Sequence, residues 1–122
     1  MPESSRKVLA VIEDMIFRSR VEAAAAPLGI TVEFVAAAAA LGSALNVPWP
    51  LVIVDLNTST ADPLELIAKL RRAQPTVPIV GYCAHEQIQL RQQANEAGCT
   101  AVLARSAMVQ TLPQLLADAG RG

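Results

Sequence analysis

The sequence is poor in aromatic and charged side chains: aromatics make up 3% of its 122 residues and charged residues 17%. So few rings leave no platform on which unpaired bases stack. Lys and Arg number 10 against 11 Asp and Glu, and the basic residues are scattered among the acids. The formal net charge of -1 provides no basic footprint for phosphate backbones, so nucleic acid is not expected as a partner. The one histidine, His85, has no Cys or His close by in sequence and reads as a loop residue, not a ligand. Long apolar runs are also missing. Val8–Ile12 is too short for a signal segment or a membrane span, so a cytoplasmic protein without membrane contact is expected. Cysteine appears twice, at Cys83 and Cys99. Cys83 reads as the end of one strand and Cys99 as the residues just before its parallel neighbour. Several residues at roughly 3.3 Å each exceed the ~7 Å reach of a disulfide, so both are expected as free thiols.

What is present is enough for one core. Hydrophobic residues make up 52%, which excludes disorder and suits a single domain over residues 1–122, with no output domain expected after it. Short apolar runs alternate with helical patterns. Val8–Ile12, Leu51–Asp55 and Pro78–Tyr82 read as strand segments buried on both faces, the fourth strand extending to Cys83. Ile30–Val35 alternates apolar and polar residues like an edge, and Ala101–Ala104 is a fifth strand. Met15–Ala26 places Ile16, Phe17, Val21, Ala24 and Leu28 at helical spacing, with Pro27 and Gly29 as its stop. Ala36–Leu45 is an alanine-rich helix. The next helix, Asp62 to about Gln74, has Asp62 as N-cap, Pro63 at the first helical position and Glu65 three residues after the cap. Glu86–Ala97 is closed by Gly98, and a last helix spans Ser106 to about Ala119. Pro113 should kink that helix or delay its start to Thr111. The sum predicts an α/β fold with a single doubly wound, five-stranded parallel sheet of order 2-1-3-4-5, with helices on both faces.

In such sheets, sites lie outside the carboxyl ends of the strands. Those ends carry Glu13 and Asp14, Asp55, Cys83 and Arg105. Gathered carboxylates repel unless a cation joins them, and oxygen ligands of this kind suit Mg²⁺. A neighbouring Arg would hold an anion, or pair with Asp55. Trp49, at the far end of the third strand, is expected in the core or at its rim.

Three segments carry a family resemblance over nearly the whole chain: Asp55–Glu65, Pro78–His85 and Ala97–Ser106. They resemble the response-regulator receiver domain of bacterial two-component systems. The resemblance implies that Asp55 accepts phosphate from a histidine kinase. It also implies that acids after the first strand, with Asp55 and the main-chain carbonyl of Asn57, hold Mg²⁺. Several positions depart from the family pattern. A gap-free register puts Ile12 and Glu13 where the family has two acids, whereas a one-residue shift restores Glu13 and Asp14. Cys83 stands in place of a hydroxyl, and a thiol is a weak donor. Arg105 replaces a lysine, Ser106 a proline, and Val102 an aromatic switch residue.

The resemblance therefore implies a degenerate receiver, not an enzyme, with at most a weak Mg²⁺ site made of Glu13, Asp14, Asp55 and Asn57. It would act on a protein partner, either a histidine kinase or a downstream signalling protein. The main rival is a phosphorylation-independent interaction module of the same fold. An aspartyl-phosphate phosphatase is a further rival, but it needs a general acid two residues after the nucleophile, and Asn57 is not one.

Overall fold

The computed structural model describes residues 7–43 and 45–121. Five strands, β1 (Lys7–Val11), β2 (Thr31–Val35), β3 (Val52–Asp55), β4 (Ile79–Cys83) and β5 (Ala101–Ala104), pair in parallel in the order β2-β1-β3-β4-β5. The helices are α1 (Met15–Ala25), α2 (Ala37–Ser43), α3 (Pro63–Ala73), α4 (Ile88–Ala97) and α5 (Arg105–Arg121). The expected topology is therefore present. The three central strands are buried throughout except at Lys7, the first residue of β1, while β2 and β5, at the edges, are only partly covered.

Alternation along the strands divides the core into two layers. Val8, Ala10, Ile12, Ile53, Val80 and Tyr82 pack against α1 and α5. Leu9, Val11, Val54, Ile79 and Cys83 face α2, α3 and α4. Ile12 is fully buried in the first layer, so in this fold its place in the gap-free register is a core position.

The helix starts follow their caps. Asp62 accepts a hydrogen bond from the Leu64 amide (2.9 Å) and Pro63 opens α3. Glu65 does not complete a reciprocal cap; its carboxylate pairs with Lys69. In α1 the buried positions are Phe17, Val21 and Ala25. Ile16, expected on that stripe, is 72% exposed, because the cap at Asp14 starts the helix with Phe17 facing the sheet. Leu28 also leaves the stripe. Pro27 cannot donate to the α-helical ladder, and the chain tightens there into a single 3-10 turn, Ala26–Leu28.

Of the two outcomes expected at Pro113, the delayed start is corrected. α5 starts at Arg105 and runs through the proline. Met108, Leu112, Leu116 and Ala119 are buried on both sides of it. An interior proline costs ~3 kcal/mol, whereas each large apolar side chain buried contributes about 1.5–3 kcal/mol, so packing wins. Both cysteines are free thiols, as expected. Among the described residues, no helix is long and apolar enough to cross a membrane.

Candidate functional site at the carboxyl edge of the sheet

Asp55 ends β3 and is 7% exposed, the one buried charged side chain among the described residues. Its Oδ1 accepts a hydrogen bond from the Asn57 amide (2.9 Å). Burial pushes its carboxyl above the usual carboxylate range; the Asn57 amide and the charge of Arg105 pull the other way, and the charge of Asp14 adds to the rise. Across the sheet its register partner is Tyr82, which lies on the same face. The Tyr82 ring stacks on Phe17, with centroids 4.3 Å apart. Its buried hydroxyl is close enough to interact with the Asp55 carboxylate, yet reaches no partner at full hydrogen-bond geometry. Burial first, and then the charge of Asp55, pushes this phenol well above its ordinary range.

The two acids after β1 have separate tasks. Asp14 caps α1 through the Ile16 amide (2.9 Å). Glu13 turns toward the β3–α3 loop. Its Oε2 accepts from the hydroxyls of Thr58 and Thr60 (the latter at 2.6 Å) and from the Ala37 amide (3.3 Å). These donors, Thr58 first and Thr60 next, hold its carboxyl down at about 2. Glu13 is thus engaged by the loop, whereas the charge of Asp14 still reaches Asp55; among the described residues, no three His, Cys, Asp or Glu side chains form a group that could hold a metal ion. As held here, Glu13 is not arranged to share a cation with Asp55.

Cys83 lies on the opposite face from Asp55, with its Sγ 3.9 Å from the Gln87 carbonyl, and burial pushes the thiol up. Tyr82, not Cys83, is the residue brought against Asp55. Among the described residues Lys7 pairs with Glu33 and Lys69 with Glu65, whereas Arg105 forms no ion pair with Asp55. Its guanidinium acts on Asp55 only as a nearby charge. The Asn57 and Gln87 side-chain amides bond to each other reciprocally (2.9 and 3.0 Å), and Gln87 Oε1 also accepts from the Ala84 amide.

No family model and no curated relative matches the chain by sequence. Solved structures do match by fold. The chemotaxis response regulator CheY4 of Vibrio cholerae superposes with a TM-score of 0.78 at 24% identity, covering 93% of this chain and 97% of that one. The receiver domain of NtrX from Brucella abortus gives 0.75 at 24% identity, with coverage of 93% and 98%. A CheY-like receiver domain protein from Methanospirillum hungatei gives 0.76 at 16% identity, with coverage of 95% and 97%.

The chain has the receiver-domain fold.

Within this receiver fold, Asp55 keeps the strand-end position that the sequence singled out. Sequence reasoning missed Tyr82, Thr58, Thr60 and Gln87. A phenol inside an otherwise aliphatic strand was a signal for Tyr82, and two hydroxyls in the loop after Asp55 were one for Thr58 and Thr60. Gln87 carried no signal.

Proposed function

We propose that this receiver-fold chain is a signalling domain that acts by binding a protein partner, with Asp55 as a slow phosphoacceptor. One observation carries the reading: a buried carboxylate at the carboxyl end of the central strand, the place where doubly wound sheets put their sites. Transfer would form a bond between an Asp55 oxygen and phosphorus as the donor's P–N bond breaks and the imidazole nitrogen of the phosphohistidine leaves with its electron pair; with acetyl phosphate the leaving atom is the bridging oxygen. That attack needs an ionised carboxylate and compensation of the incoming negative charge. Burial opposes ionisation, Glu13 is committed elsewhere, and only the charge of Arg105 remains to offset repulsion. Mg²⁺ binding is accordingly weak. The phosphoryl source would be a histidine kinase, and the output a signalling protein that reads the receiver surface. The phosphatase alternative lacks support, because both polar side-chain atoms of Asn57 are engaged by Gln87 and an amide is no general acid.

Acetyl phosphate with Mg²⁺, followed by intact mass, tests this directly. Slow, substoichiometric gain of one phosphoryl group, absent in Asp55→Asn, is expected. Rapid stoichiometric labelling would make this an ordinary receiver, and labelling that survives Asp55→Asn would move the site elsewhere.

A further inference from the structure

The loops that follow β1 to β4 are tied to one another by hydrogen bonds from their side chains. A single oxygen, Glu13 Oε2, collects the hydroxyls of Thr58 and Thr60 and the Ala37 amide. Thr60 Oγ1 in turn accepts from the Ala38 amide (3.2 Å), so the start of α2 joins the same knot. On the other side, the reciprocal Asn57–Gln87 amide pair, with the Ala84 amide on Gln87 Oε1, ties the β3–α3 loop to the β4–α4 loop. The β3–α3 loop is thus held from both flanks.

We propose that these two clasps, Glu13 with Thr58 and Thr60, and Asn57 with Gln87, pre-set the loops around Asp55 in one arrangement that needs neither cation nor phosphoryl group. The proposal rests on the receiver reading above and deepens it: the binding surface these loops carry is constitutive. The chemistry favours this. A carboxylate accepting several donors forms charge-assisted hydrogen bonds, stronger than neutral ones. Mg²⁺ sheds water reluctantly and recruits carboxylates, and at Glu13 it would compete with the three donors already gathered on Oε2. Within the amide pair, each side chain both donates and accepts, so each carboxamide satisfies the other.

Hydrogen exchange of the full chain, read by mass spectrometry with and without Mg²⁺ plus beryllofluoride, is the test. In the wild type, the amides of residues 56–62 and 84–87 should be protected, and the additions should leave that protection unchanged. Thr58→Val with Thr60→Val should speed exchange in 36–38 and 56–62 by about tenfold, the loss expected for hydrogen bonds to a charged group, while β1, β3 and β4 stay protected. Gln87→Ala, at a partly exposed site, should do the same for 84–87 and 56–58, and provides an independent variant if the double one unfolds. Wild-type loops that already exchange as fast as in the variants would overturn the proposal. So would protection gained about tenfold or more on adding Mg²⁺ and beryllofluoride. Phosphate labelling is read separately: fast labelling with unchanged exchange would sink the slow-acceptor reading and leave the clasps standing.

Discussion

Burial makes the charge of Asp55 costly, and the Asn57 amide and the charge of the Arg105 guanidinium only partly offset this. A carboxyl whose folded-state pKa is raised binds its proton more tightly in the native state. Its contribution is therefore most favourable below the unfolded pKa, and stability falls as pH rises through the folded value. Asp55→Asn keeps an oxygen for the Asn57 amide and removes the desolvated charge. At neutral pH it should stabilise the chain by roughly 1 kcal/mol, a Tm rise of about 4 °C, and the gain should shrink on acidification. Thermal melts of both proteins across pH check this; an unchanged or lower Tm at neutral pH would mean that the ionised carboxylate is compensated. Glu13 gives the opposite limb of the same pH profile. Held at about 2 against an ordinary 4.5, its contribution is complete above 4.5 and is lost as pH falls toward 2.

At the scale of elements, α5 and the α3–α4 junction show packing overriding local preference. The guanidinium of Arg71, in the last turn of α3, donates to the carbonyls of Gly98, Gln74 and Pro75 and to the Thr100 hydroxyl. Gly98, at φ +134°, is a glycine position for two reasons. That conformation strains any other residue, and a Cβ there would lie 2.8 Å from Arg71 Cβ. In α5 the compromise is Pro113, which withholds the N–H that would bond to the Val109 carbonyl. Pro113→Ala should restore that bond and stabilise the chain by roughly 1–3 kcal/mol, seen as a higher urea midpoint at unchanged m-value. A lower midpoint would show that the proline's fixed φ, and not the helix around it, is what the packing requires.

For the molecule as a whole, the question is whether events at Asp55 reach the surface formed by α4, β5 and α5. The route is poorly furnished. Val102 on β5 is partly buried and lacks an aromatic hydroxyl that could move between two environments, and Cys83 points into the other core layer. A ligand shifts a conformational equilibrium only by its difference in affinity for the two states, and here the loops already have their partners. Beryllofluoride with Mg²⁺ should therefore leave the NMR shifts of α4, β5 and α5 nearly unchanged. Large shifts throughout that face would show a working switch and count against constitutive binding.

Much of this architecture was legible in the residues themselves. A strand buried on both faces must be apolar throughout, so Val8–Ile12 and Leu51–Val54 announce central strands, and the mixed Ile30–Val35 announces an edge. Asp62 and Pro63 mark a helix start through short-range hydrogen-bond chemistry, and the strand-end carboxylate Asp55 follows from the topology. The exposure of Ile16 and the unbroken course of α5 were not legible, because both depend on which face the sheet covers. Nor were the partners of the site. Glu13 meets Ala37, Thr58 and Thr60 across 24, 45 and 47 residues of chain. Tyr82 meets Asp55 only through the β3–β4 register. The sequence alone determined the elements, their order and the edge where chemistry would gather, since periodicity and caps act within a few residues. Only the tertiary structure decided that one acid would clasp a loop, another cap a helix and the third be buried beside a phenol. Those roles depend on where distant side chains meet, and local sequence pattern carries no record of that.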